Sequence, residues 1–256
     1  MQPKFGYTYE EMLCKKMNGK KVGDIEEVLQ KMIYQFMGQL NDETIVYVYR
    51  FRDEGKEDIC IKTEKEEKLL SVKYGDKNSV HTESIHTFRK FILYNNCGWD
   101  ILEAYLRYHY ADGTLDGSGK MRMAVSEYKT LHHEEVEKIN RCFNRKEMRL
   151  AAYERFLFRG IVPKKKKIDG ILHCKNGEVQ YATCEEIVEY LEHKAKMESS
   201  GVHFSRLFVQ PMARNLNYDL RYEGKRHYVQ LKWFDLYISM CEIRYKRENG
   251  NWLDIL

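Results

Sequence analysis

The chain has 256 residues, 43% of them hydrophobic, with 19 Tyr, 3 Pro and a formal net charge of +4. That is enough apolar material for one large domain or two small ones, and it argues against a disordered chain. No apolar run approaches the ~18 residues of a membrane-spanning helix, so an integral membrane helix is excluded. The segment MQPKFGYTYEEM lacks an apolar signal-peptide core. Seven cysteines, spread without a C-x-x-C pair, carry no zinc signature and fit reduced thiols, so a cytoplasmic setting is expected. Charge is uneven: residues 1–130 hold 20 Lys and Arg against 21 Asp and Glu, whereas residues 131–256 hold 23 against 18. A polyanion contacting mainly the second half would fit this balance, and so would a solvated basic surface.

In chain order, residues 21–40 (KVGDIEEVLQKMIYQFMGQL) predict an amphipathic helix. Val22, Ile25, Leu29, Ile33, Phe36 and Leu40 recur at helical spacing. At about 100° per residue, Glu26 falls inside the apolar stripe and Glu27 outside it. An inward Glu26 needs a partner; the other reading makes it a helix-end carboxylate near the N-terminal dipole. Thr44 to Phe51 (TIVYVYRF) predicts a strand rich in β-branched and aromatic residues. A turn at Asp53-Glu54-Gly55 leads to short strands at Asp58–Lys62 and Lys68–Tyr74, an antiparallel meander. Successive strand residues point to opposite faces, so Ser71 and Lys73 project together and an aspartate on the partner strand can sit beside the lysine. A carboxylate next to an ammonium is the least that holds a hard cation and steers a water. After a turn at Gly75–Asn78 comes a helix with Ile85, Phe88 and Ile92 on its stripe, capped by Ser79 or Thr82.

Residues 99–110 predict another helix, and ADGTLDGSGK (111–120) a flexible loop or linker. The expected division is therefore a helix–meander–helix core in residues 1–120 and a helical and basic α/β part in 121–256. Residues 124–158 read as largely helical and end before Pro163. Lys164 to Lys167 would be a solvated loop or a phosphate grip. Ile168 to Ala182 predicts a hairpin around Asn176-Gly177, and Thr183-Cys184-Glu185-Glu186 matches a capping box. Arg206 to Pro211 predicts a short strand. Arg226 to Trp233 predicts another, whose polar face carries Arg226, Tyr228, Gln230 and Lys232. With Arg214 and Asn215 upstream, that face would either read base edges in a major groove or be a solvated strand surface.

The order helix, strand, Asp58 strand, Ser71-Val72-Lys73 strand, helix resembles the PD-(D/E)xK nuclease superfamily, the fold of many type II restriction endonucleases. Glu57-Asp58 stands where Pro-Asp is usual, and Ser71-Val72-Lys73 where Glu-x-Lys is usual. The resemblance covers roughly residues 20–95 on a short, degenerate motif. It implies a catalytic Asp58 and Lys73 with Mg²⁺ as the cofactor. Because Ser71 replaces an acidic residue, it implies that Glu83 substitutes as the second metal ligand beside Asp58, with Ser71 in the metal shell and Glu26 as an extra acid from the first helix. Asp219 with Gln230-Leu231-Lys232 resembles a second, D…QxK version of the motif.

The expected fold class is α/β (α+β), a mixed central sheet flanked by helices. The expected function is Mg²⁺-dependent cleavage of duplex DNA as a type II restriction enzyme, acting as a homodimer because duplex symmetry and the family suggest one. A DNA-binding protein on a degenerate nuclease fold, inactivated at Ser71, is the main alternative; a partner-binding protein such as a toxin-system component is another. The sequence has no Gly-x-Gly-x-x-Gly, no P-loop and no Gly-x-Ser-x-Gly elbow. His132-His133 and His173-Cys174 lack metal-ligand spacing.

Overall fold

The structure, a computed structural model, describes residues 5–52, 55–161, 166–195, 201–214 and 219–252. Its first elements are α1 (Phe5–Met17), β1 (Lys20–Lys21), α2 (Glu27–Met37), β2 (Ile45–Arg50), β3 (Ile59–Lys62), β4 (Glu67–Tyr74) and β5 (Ser79–Ser84). Helices α3 (Ile85–Tyr94), α4 (Trp99–Tyr110), α5 (Val125–Leu131), α6 (His133–Phe143) and α7 (Lys146–Ala152) follow. A π-helical stretch over Tyr153–Arg159 extends α7. Then come β6 (Gly170–Lys175), β7 (Glu178–Thr183), α8 (Cys184–His193), β8 (His203–Phe204), β9 (Leu207–Pro211), β10 (Tyr228–Trp233) and α9 (Leu236–Asn249).

Two compact units share the chain, and each is discontinuous. The first takes residues 1–78, 157–190 and 235–256; the second takes 79–156 and 191–234. The boundary expected near residue 120 falls inside the second unit, because strands far apart in sequence pair with one another.

In the first unit the sheet order is β1-β2-β3-β4-β6-β7, with β4 and β6 parallel and every other pair antiparallel. The expected meander forms, and its alternation sends Val46, Val48, Leu70 and Val72 into one apolar cluster with Leu13 and Met17 of α1 and Leu29, Ile33 and Phe36 of α2. Leu172 and Cys174 of β6 join the same cluster. The predicted helix over 21–40 starts later than expected: β1 and a 3₁₀ turn at Val22–Asp24 precede α2. The Asn176-Gly177 turn forms with positive φ at both residues (52° and 84°), the twist a two-residue hairpin needs. The capping box also forms: the Thr183 amide donates to Glu186 Oε2 at 2.8 Å, and the Glu186 amide donates to Thr183 Oγ1 at 3.2 Å.

In the second unit the sheet order is β5-β10-β9-β8, antiparallel throughout. Phe88, Tyr105, Phe143, Phe156 and Phe204 fill its core, Phe143 stacking on Phe204 at 4.5 Å between ring centres. The cap of α3 is Ser84, whose Oγ accepts from the Thr87 amide at 3.2 Å, not Ser79 or Thr82, which lie within β5. The 111–120 segment is anchored: the side chain of Asp112 is buried and pairs with Arg226 at 3.0 Å. Among the described residues no helix is long and apolar enough to cross a membrane.

Gly170 opens β6 where no side chain fits, since a Cβ there would collide with the Ala182 carbonyl oxygen and the Phe36 ring. Gly170→Ala is expected to destabilise the first unit by about 2 kcal/mol or more, as overpacking against backbone does. Thermal melting checks this; an unchanged midpoint contradicts the close approach.

Candidate active site

The β3–β4 ladder runs from Lys62↔Glu67 to Ile59↔Leu70 and stops there. Asp58 precedes β3, its amide donating to the Leu70 carbonyl at 2.9 Å. The next amide along β4, that of Val72, therefore has no β3 carbonyl to meet. Asp58 Oδ2 takes its place, accepting from Val72 N–H at 2.6 Å and from the Ser71 hydroxyl at 2.8 Å. Lys73 Nζ donates to Ser71 Oγ at 2.7 Å and stands 3.5 Å from Asp58 Oδ2. The result is a relay, ammonium to hydroxyl to carboxylate. It lies on the strand face opposite Leu70 and Val72, as the alternation predicts. Asp58 Oδ1 accepts no hydrogen bond from the described residues.

A further acid, Glu10 on α1, lies within electrostatic reach of the relay. Burial, and secondarily the charge of Asp58, push the carboxyl of Glu10 on α1 above its ordinary pKa; Arg50 and Lys73 pull the other way. Arg50 holds it at 3.8 Å. The signal was legible in principle: Tyr9, Leu13 and Met17 recur every four residues, and Leu13 and Met17 are buried, which fixes a helix and places Glu10 beside its inner stripe.

Other expected site residues sit elsewhere. Glu26 is the N-cap residue of α2 and an exposed partner of Lys16 at 2.7 Å, not an inward acid. The helical wheel misplaced it because the chain from Val22 to Glu26 is not α-helical. Glu83 belongs to β5 of the second unit, fully buried, with Oε2 at 2.7 Å from Arg155 and 3.3 Å from His81. Arg214 is buried, donating to the Tyr108 carbonyl at 2.8 Å and the Met123 carbonyl at 2.9 Å, with its guanidinium over the rings of Tyr108 and Tyr128. Arg226 lies in a 3₁₀ stretch, Leu220–His227, before β10, so it does not share a strand face with Gln230 and Lys232. It is nearly buried, paired with Asp112 and Glu223. Gln230 donates to Ser79 Oγ at 2.9 Å, and Lys232 is half-buried on β10. Asn215 lies outside the described residues, as do Lys164 and Lys165. Lys166 pairs with Glu67 at 2.7 Å. The D…QxK arrangement does not assemble, for Asp219 is held by Arg221 at 2.6 Å.

The fold is similar to that in a crystal structure of restriction endonuclease MspI in complex with its cognate DNA, at a TM-score of 0.56. The alignment covers 89% of this chain and 88% of that chain at 12% identity. This is a restriction-endonuclease fold. No protein-family profile matches the chain, and no curated protein matches it in sequence. The likeness is therefore one of backbone arrangement. It bears out the expected mixed sheet flanked by helices, and it leaves the chemistry to be argued from this chain's own residues.

Two outcomes follow. A raised carboxyl pKa means the folded chain binds more protons than the unfolded one between the ordinary and raised values, so stability falls as pH rises through that window. Glu10→Gln should accordingly raise the melting temperature at neutral pH and change it little in acid below the ordinary carboxylate range; a drop at neutral pH contradicts the assignment. Arg214→Ala should cost about 2–4 kcal/mol by leaving buried carbonyls unpaired and removing packing. Denaturant unfolding checks it, and an unaffected fold would return Arg214 to the surface.

Proposed function

We propose that this protein is a divalent-metal-dependent nuclease acting on duplex DNA in the manner of a type II restriction enzyme. The observation that carries this reading is the Asp58–Ser71–Lys73 relay standing on the sheet of a restriction-endonuclease fold. Magnesium takes oxygen ligands and typically uses one or two carboxylates plus substrate phosphate oxygens. Asp58 Oδ1, which accepts no hydrogen bond from the described residues, and the Glu10 carboxylate are donors of that kind, with Ser71 Oγ as a neutral third. When bound, such an ion lowers the pKa of a water and neutralises charge on the phosphate under attack.

The chain's own residues do the rest. The Val72 amide and the Ser71 hydroxyl fix the Asp58 carboxylate by Oδ2, so Oδ1 stays presented. Ser71 also holds the Lys73 ammonium, which is thereby aimed beside the carboxylate and can donate to an oxygen where negative charge develops. Glu10 carries a raised pKa and would ionise more readily once a cation lies near it. Glu83 is the second metal carboxylate expected from sequence; its charge is already balanced by Arg155. Dimerisation on a symmetric duplex belongs to the same proposal.

A second reading has one observation in its favour. Among the described residues no group of three or more His, Cys, Asp and Glu is disposed to hold a metal ion. A chain that binds DNA without cutting it fits that fact, with Ser71 marking the lost acid.

Incubation with plasmid DNA and Mg²⁺, with and without chelator, separates the two. Cleavage should require the metal, vanish in Asp58→Asn and fall about 10²-fold or more in Lys73→Met, with DNA binding retained in both. Loss of cutting in Glu10→Gln with activity kept in Glu83→Gln would place the second carboxylate on α1; the reverse ranking would place it on β5. Binding without cleavage under any divalent cation would leave the degenerate reading standing.

A further inference from the structure

Two of the free cysteines meet in the second unit. Cys97 lies in the connection between α3 and α4, immediately before the N-cap Gly98 of α4, and is buried. Cys142 is in the last turn of α6 and is half-buried. Far apart in sequence, each thiol is nevertheless the hydrogen-bond partner of the other.

Arg145, the N-cap residue of α7, completes the cluster. Its Nη2 stands 3.5 Å from Cys97 Sγ and donates to the Asn95 and Asn96 carbonyls at 3.3 Å and 3.4 Å. Its Nε donates to the Cys142 carbonyl at 3.2 Å, and the guanidinium also hydrogen-bonds the Cys142 sulfur. A cation is thus fixed beside both sulfurs. The two thiols respond differently. The hydrogen bond from Cys97, and then the charge of Arg145, hold the Cys142 thiol below its ordinary pKa, against burial and the charge of Asp100. Asp100 is itself paired with Lys138 at 2.8 Å. The bond to Cys142, together with burial, pushes the Cys97 thiol up. Burial pushes Cys14, Cys60 and Cys174 up as well. The thiolate is the nucleophilic form of cysteine, so Cys142 is the sulfur prepared to react.

We propose that Cys142 and Cys97 form a peroxide-reactive dithiol, in which Cys142 attacks the oxidant and Cys97 closes a disulfide. In the first step the Cys142 thiolate attacks one oxygen of a hydroperoxide. An S–O bond forms, the O–O bond breaks, and the departing oxygen takes the proton released by the thiol. Cys142 is then a sulfenic acid. In the second step the Cys97 sulfur attacks the Cys142 sulfur. An S–S bond forms, the S–O bond breaks, and hydroxide leaves as water with the Cys97 proton. Two thiols are oxidised by two electrons, and hydrogen peroxide is reduced to two waters. The disulfide would tie the α3–α4 connection to the end of α6, closing a loop of about 45 residues and narrowing the unfolded ensemble. Oxidation would thereby stiffen the second unit. This chemistry does not depend on the nuclease reading.

The reduced full chain, treated with a small excess of hydrogen peroxide and digested without reductant, tests the pair by mass spectrometry. A peptide linked through Cys97 and Cys142 is expected, and dithiothreitol should separate it. The oxidised chain should melt about 5 °C or more above the reduced one. Alkylation of the reduced chain by iodoacetamide at neutral pH should reach Cys142 about tenfold or more faster than Cys14 and Cys241, which are also half-buried. In Cys97→Ser a sulfenic acid should persist on Cys142, where dimedone traps it, whereas in Cys142→Ser position 97 should resist peroxide. Arg145→Met should slow alkylation of Cys142 and Arg145→Lys should restore it, a dependence on charge that a merely structural arginine would not show. Melting curves verify that the variants fold; where one does not, the unmodified chain still decides. Peroxide treatment that leaves Cys97 and Cys142 unlinked overturns the dithiol. Alkylation of Cys142 no faster than that of Cys14 and Cys241 overturns its role as the attacking sulfur.

Discussion

The candidate site depends on one hydrogen bond, from the Val72 amide to Asp58 Oδ2 at 2.6 Å. It exists because the β3–β4 ladder ends one step too early to supply a backbone acceptor. A buried strand amide without a partner is costly, so the carboxylate is drawn into the ladder's place and loses its freedom to turn. Once it is fixed, Ser71 and Lys73 on the same strand face have a stationary anion to organise around, and charge-assisted hydrogen bonds shorten the relay. The site's geometry is thus a consequence of register, not of a dedicated loop.

Serine at position 71 changes the electrostatics. A second carboxylate on β4 would place two like charges side by side and raise the pKa of one of them. Here the hydroxyl mediates between ammonium and carboxylate without adding charge. The nearby acid comes from α1, at Glu10, where burial and the charge of Asp58 already burden it. Asp58 and Lys73 therefore form a nearly balanced pair.

In the second unit the same physics turns conspicuous polar residues into structure. Arg214, Arg226 and Glu83 look from sequence like contacts for a polyanion or a metal. Each is buried instead, and each has found carbonyls or an opposite charge. Long cationic side chains bury well when their stems cover rings, as Arg214 does over Tyr108 and Tyr128. The positive balance of residues 131–256 is thus partly internal and overstates the basic surface.

Local features were legible without the fold. The meander, the Asn176-Gly177 hairpin, the Thr183–Glu186 cap and the pairing of Ser71 with Lys73 on one face follow from period-two alternation, turn preference and capping chemistry. These act within a few residues, so a sequence states them directly. The Asp58–Lys73 juxtaposition was also within reach, since a short hairpin fixes its own register. What the sequence could not decide was anything set by distant chain. The late start of α2 put Glu26 in solvent. The 111–120 segment looked like a linker until Arg226, over a hundred residues later, closed on Asp112. His173 read as a plain strand residue until β6 paired in parallel with β4 and brought the start of α9 to its ring. Long-range pairing follows from which surfaces bury best together, and that depends on the whole chain at once.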